Sequence, residues 1–218
     1  MYFDVLFYGA FAIFFLKVAE IERTGSEDQA ARLDEAREMY PYLRLATVAV
    51  SAALGERRSL GTVGTIRMRV WPGDIDFYPE MNNGRHLTLM DLGRIDLAIR
   101  SGLFRLVHSK GWGFVVAGAS VRFRHPLKPF RRYDLHTKAL GHDGRWFYFL
   151  QETEWKGRVY SSVLIRGGIK GREGLMPAAE VLAAMGESGW SPVLPDWVRE
   201  WIEADNHRVM GGTIGSGE

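Results

Sequence analysis

Apolar and polar positions divide the chain into a few distinct elements. Thr62–Trp71 has the composition of a strand. Asn83 to Gly102 carries Leu87, Leu89, Met90, Leu92, Ile95, Leu97, Ala98 and Ile99. These positions fall on more than one helical stripe, which predicts a long buried helix. Four strand candidates follow: Phe114–Phe123, Tyr133–Leu140, Arg145–Glu154 and Arg158–Gly167. Pro126 and Pro129, then His142-Asp143-Gly144, then Lys156-Gly157 separate them. The last two separators are short enough for hairpins. A strand, a helix and four strands predict an α+β fold, a long central helix wrapped by an antiparallel sheet of about five strands. Such an open sheet leaves edges, and pairing with a second copy is one way to cover them.

The flanks read differently. Val5–Leu16 runs for twelve residues without a charge, bracketed by Asp4 and Lys17. That is shorter than the roughly 18–20 residues of a spanning helix. It approaches that length only with Tyr2, Phe3, Val18 and Ala19 included and Lys17 snorkelling. No basic side chain precedes the run and no small-residue cleavage site follows it, which argues against a signal peptide. Two readings stand for residues 1–19. One is a membrane anchor with Lys17 and Arg23 on the cytoplasmic side; the other is an apolar packing helix. Glu20–Met39 reads as one polar helix, or two short ones broken at Thr24-Gly25, up to Pro41, and Tyr42–Leu54 as apolar helix capped by Gly55. The expected organisation is an N-terminal segment with helices (1–59), a main domain (60–170) and a C-terminal helical extension with a flexible tail (171–218). Within that extension, Pro177–Met185 is a short helix and Asp196 opens a last one reaching about Met210. Trp197 and Trp201, at i,i+4, read as its packing face.

Composition narrows the chemistry. The chain has 218 residues, 46% of them hydrophobic, enough for a proper core. Its 28 basic and 26 acidic residues leave a net charge of +2, too balanced to point to nucleic acid. Cysteine is absent, which excludes disulfides, thiolate metal sites and thiol catalysis. Six scattered histidines form no HxxxH or HExxH pair, so neither a metal nor another cofactor is expected.

The candidate chemistry lies between the first strand and the long helix, in Val70–Leu87. This loop holds three carboxylates, Asp74, Asp76 and Glu80, and ends in Asn82-Asn83-Gly84. A helix start presents unpaired backbone N–H groups, and a loop before it can aim carboxylates at whatever those groups hold. The same composition also suits a plain surface turn. Asp91 and Arg94 follow at i,i+3 and pair most simply with each other. Arg122, Arg124, Lys128, Arg131 and Arg132 cluster round the turn after Phe123.

Gly73-Asp74-Ile75-Asp76, Met81-Asn82-Asn83-Gly84-Arg85, and Asp91 with Arg94 together resemble the 4-hydroxybenzoyl-CoA-thioesterase-like group of hotdog proteins. The closest likeness is to its thioesterase superfamily member six branch, over about residues 62–210. That likeness also takes in Ser101-Gly102-Leu103, Leu140-Gly141-His142-Asp143, Phe147-Tyr148 and Leu194-Pro195-Asp196. The branch tends to begin with an apolar segment, which favours the anchor reading of residues 1–19. The resemblance implies a homodimeric or homotetrameric acyl-CoA thioesterase. Asp76 would be nucleophile or general base, and the N–H of Asn83, shared with Gly84, the oxyanion donor. Asp74 would brace the loop, and Asp91 is a second catalytic candidate. The basic cluster would hold the phosphates of CoA, which guanidinium suits by bidentate bonding. Glu80 stands where many members carry His, so it is either a second carboxylate in the site or an outward group. The alternative function is a non-hydrolytic acyl-CoA-binding or scaffold protein at a membrane. A hydratase of the same fold is disfavoured, because no Asp-x-Asn-Pro-x-His run is present.

Overall fold

The computed structural model describes residues 41–208 of the chain. They divide between two compact units, one ending at Ala46 and the other beginning at Thr47. The sheet, the long helix and the candidate site all belong to the second. The elements run α1 (Tyr42–Leu54), β1 (Gly64–Arg69), a 3-10 turn (Pro72–Asp74), α2 (Asn83–Ser101), α3 (Leu103–Ser109), β2 (Gly113–Phe123), β3 (Arg132–His142), β4 (Phe147–Trp155), β5 (Arg158–Gly171), β6 (Gly174–Leu175), α4 (Ala178–Met185) and α5 (Asp196–Asn206). The segment of residues 1–19 lies outside the described residues. Among those described, no helix is long and apolar enough to cross a membrane.

The sheet has the order β1-β3-β4-β5-β2, antiparallel throughout, with β6 hydrogen-bonded to β5. β1 and β2, far apart in the sheet, flank α2 in sequence, so the chain crosses the whole sheet along that helix. Leu89, Met90, Leu92 and Leu97 are at most 1% exposed, and burying each stabilises the fold by about 1.5–3 kcal/mol. Gly93 sits where the helix comes nearest the sheet. A Cβ there would lie 2.4 Å from Thr137 Oγ1 and 3.0 Å from Gln151 Nε2. Gln151 is fully buried and donates from Nε2 to the Met90 carbonyl at 2.8 Å and to Thr137 Oγ1 at 2.9 Å. The polar amide at this crossing is thus hydrogen-bonded within the core.

The helix expected over Asn83–Gly102 ends at Ser101, with Gly102 (φ 82°) as its left-handed cap. The chain then turns at once into α3, which the sequence reading did not separate. Likewise β5 runs to Gly171 rather than Gly167 and folds back on β6. The Gly167-Gly168 pair looked like a strand end. At Gly168, however, a Cβ would lie 2.7 Å from Leu175 and 2.9 Å from Trp146, so the missing side chain makes room for neighbours within a continuing strand.

The outer face of the sheet is covered in part by α5. Leu194 and Val198 pack with Tyr148 and Leu164. Arg166 Nη1 pairs with Asp205 at 3.1 Å, and its guanidinium stacks 4.8 Å from the Trp201 ring centre. Asp143, in the β3–β4 turn, accepts from the Tyr148 hydroxyl at 2.6 Å and from the N–H groups of Arg145 and Trp146 at 2.9 and 2.7 Å. Partial burial pushes this carboxyl up, but those three bonds together with the positive charge of Arg166 outweigh it and hold the pKa below the ordinary value.

Candidate active site

The loop between β1 and α2 is a narrow hairpin tied at several rungs. The Asn82 N–H donates to the Asp74 carbonyl at 2.8 Å, Ile75 and Met81 form an antiparallel bridge, and the Asp76 N–H donates to the Glu80 carbonyl at 2.9 Å. Met81 also donates to the Leu127 carbonyl at 2.9 Å, which fastens the hairpin to the β2–β3 connection. Asp74 anchors its base. Its carboxylate is buried and accepts from the Trp71 N–H at 2.8 Å and from Arg85 Nε at 3.1 Å. Phe77 and Tyr78 form the exposed tip, their ring centres 4.3 Å apart.

Asp76 stands on the hairpin between this base and the tip, half-buried, with Oδ1 accepting the Tyr78 N–H at 2.9 Å. This is an Asx turn, which fixes the carboxylate with one oxygen while the second carries no bond within the described residues. The start of α2 lies at the hairpin's base. Asn82 is the N-cap, and its side-chain oxygen accepts from Gly84 at 2.8 Å and Arg85 at 3.3 Å. The two expected donors are therefore unequal. The Gly84 N–H is taken by the cap, whereas the Asn83 N–H has no acceptor among the described residues.

The remaining carboxylates point elsewhere. Glu80 pairs with Lys128 at 3.4 Å. Asp91 pairs with Arg94, as their spacing predicts, and Arg94 also donates to Gln151, so this chain of groups runs from the helix flank into the core. Partial burial pushes the Asp91 carboxyl above its ordinary range, against the pull of Arg94. His86, one turn into α2, is buried. Its Nδ1 lies 3.2 Å from Ser161 Oγ, which is 2.7 Å from Thr153 Oγ1, and the Phe123 ring meets it edge-on. Desolvation lowers its pKa to about 4, so the imidazole is neutral at pH 7.

The basic cluster is not one patch. Lys128 is engaged by Glu80. Arg131 stacks 3.6 Å from the Trp155 ring centre. Arg132 begins β3 opposite Arg69. Arg122 and Arg124 instead join Arg158 and Trp197, neither of which the sequence singled out for binding, along a groove on the outer face of the sheet. Arg85 was also missed as a functional side chain, because its partner Asp74 lies across the loop and no local spacing marks the pair. Among the described residues, no three His, Cys, Asp or Glu side chains come together in a way that could hold a metal ion.

A long helix wrapped by this sheet, with its entrance loop carrying Asp-x-Asp and an Asn-capped helix start, is the hotdog architecture of thioesterases. The chain belongs to the thioesterase-like superfamily, whose family model matches residues 70–202. Among relatives, Protein THEM6 of Xenopus laevis is 34% identical over 136 residues, 62% of this chain and 64% of its own length. The match thus spans somewhat less than two thirds of that relative. Protein THEM6 of Drosophila melanogaster is 27% identical over 161 residues, 72% of this chain and 81% of its own. Among solved structures, the probable thioesterase YbaW of Escherichia coli superposes with a TM-score of 0.53 at 20% identity, covering 57% of this chain and 96% of that one.

Proposed function

We propose that the protein hydrolyses an acyl-CoA thioester to the free acid and CoA, with Asp76 as the reacting carboxylate. One observation carries this reading. An Asx-fixed carboxylate stands on the hairpin that leads into a helix start whose first N–H, that of Asn83, has no acceptor among the described residues. Asp76 either attacks the thioester carbonyl or takes a proton from the water that does. The Asn83 N–H, at the positive end of the α2 dipole, receives the oxyanion. Glu80 is paired with Lys128 and His86 is buried, so neither supplies the proton transfer and Asp76 acts without an imidazole. The tie between Asp74 and Arg85 keeps the hairpin in register.

The test is release of free thiol from a panel of acyl-CoAs, run beside Asp76→Asn. Hydrolysis that the substitution abolishes supports the reading. No hydrolysis above the blank, or full activity in Asp76→Asn, supports the second reading, a non-hydrolytic acyl-CoA-binding or scaffold protein, which the absence of a free imidazole in the loop favours. Among the described residues the outer edge of β2 has no neighbouring strand and Phe114 and Val116 are half exposed, which suits pairing with a second copy, so we take the working form as a homo-oligomer. We further take residues 1–19 as a membrane anchor that leaves the domain cytoplasmic. Cell fractionation of the full chain and of a chain lacking residues 1–19 tests that placement.

A further inference from the structure

The outer face of the sheet carries a groove that the hydrolytic reading does not use. β2, β4 and β5 form its floor and α5 one wall, and it encloses about 1030 Å³. Alternation along β2 sends Arg122 to this face and Phe123 to the other, where the Phe123 ring meets His86 of α2. The groove therefore lies across the sheet from the helix.

Its lining is unusual for a solvated surface. Arg122, Arg124 and Arg158 all face it, and none has an ion-pair or hydrogen-bond partner for its guanidinium among the described residues. Glu152 and Glu200 lie in the same groove, yet no arginine pairs with either. Trp197 of α5 also lines it and is 47% exposed. It was expected on the helix's packing face, but that role falls to Val198 and Trp201. The wall that presents it is fixed, since Val198 is fully buried and Arg166 ties Asp205 to the sheet.

We propose that this groove binds a phosphorylated nucleotide. Three unpaired guanidiniums in one concavity suit adjacent phosphates by bidentate hydrogen bonding. An exposed indole on a fixed helix offers a stacking face for a base. Glu152 and Glu200 supply acceptors for base amines and ribose hydroxyls, and they keep the groove from being a bare anion trap. The nucleotide has two sources, the adenosine bisphosphate end of CoA or a free nucleotide. The first rests on the hydrolase reading; the second does not.

Titration of the full chain with adenosine 3′,5′-bisphosphate, followed by tryptophan quenching and calorimetry, tests the proposal. Saturable binding is expected, weakened at least tenfold by Arg158→Gln and at least fivefold by Trp197→Ala, and unchanged in Asp76→Asn. Both altered side chains are exposed, so folding is retained, and circular dichroism checks it. No binding at millimolar bisphosphate overturns the proposal. So does binding that both variants leave intact, or inorganic phosphate binding as tightly as the bisphosphate. With acyl-CoA as substrate, Arg158→Gln that raises KM at constant kcat assigns the groove to CoA itself. Lost bisphosphate binding at constant KM assigns it to a free nucleotide. Thiol release that survives while no bisphosphate binds separates failure of this proposal from failure of the hydrolase reading.

Discussion

Arg85 reaches back across the loop to hold the buried carboxylate of Asp74, Nε to Oδ1 at 3.1 Å. The same carboxylate receives the Trp71 N–H, so one side chain joins the end of β1, the hairpin and the first turn of α2. Removing the cation leaves a buried charge short of a partner. Arg85→Ala is expected to destabilise the fold by about 3 kcal/mol, read as a lower urea midpoint at unchanged slope. Arg85→Lys is expected to recover only part of the loss, because a point charge does not reproduce the guanidinium geometry.

Catalytic rate should separate the two acidic candidates. Asp76→Asn keeps the Oδ1 acceptor for Tyr78, so stability is expected to stay within about 0.5 kcal/mol while kcat falls by roughly 10²–10⁴. Asp91 is already committed to Arg94. Asp91→Asn is expected to lower stability modestly and to leave kcat within a few-fold of the parent. Steady-state thiol release on both variants checks this, and the opposite ranking would transfer the chemistry to Asp91.

Acid should weaken the fold through His86. Burial holds its pKa near 4, against 6.5 for an ordinary histidine. Between those two values the unfolded chain binds a proton that the folded one refuses, so stability is lost as pH falls from about 6.5 to 4. The loss attributable to this group is about 3 kcal/mol. Urea unfolding across that range, compared with His86→Gln, should show a flatter profile in the variant.

Gly93→Ala should destabilise despite the better helix propensity of alanine. The propensity gain is about 1 kcal/mol. The new methyl group meets Thr137 Oγ1 and Gln151 Nε2 where the helix crosses the sheet, and overpacking of this kind costs about 1–3 kcal/mol on top of the displaced hydrogen bonds. A net loss of about 2 kcal/mol is expected in thermal unfolding.

Oligomer assembly should respond to the β2 edge. Val116→Lys places a charge on an edge strand of the sheet. Light scattering on the eluting protein is expected to show the variant shifted towards monomer.

The elements that sequence made legible are those with strong period and punctuation. α2 announces itself by a dense apolar run that begins after Asn82 and ends at Gly102, both of which cap it. The β3–β4 and β4–β5 turns follow from His142-Asp143-Gly144 and Lys156-Gly157. What escaped depends on contacts made across the chain. α3 follows a left-handed glycine that read as a stop, and the far end of β5 contains a glycine whose bareness is explained only by Trp146 and Leu175. The site divides the same way. Asp76 and the Asn-capped start stand in one short stretch and can be read together. By contrast, Lys128 with Glu80, Arg131 with Trp155, and Arg122 and Arg124 beside Arg158 are sorted by strand pairing. A run of basic residues in sequence therefore had to look like one patch.

α5 also limits how copies of this chain can meet. By lying over β4 and β5 it removes the outer face of the sheet as a surface for a second sheet to stack on. A copy approaching from that side finds Arg199, Glu200 and Glu203, a charged helix flank in place of strands. A second copy would be left the strand edges and the α2 side, and the groove beside α5 is left open to small molecules.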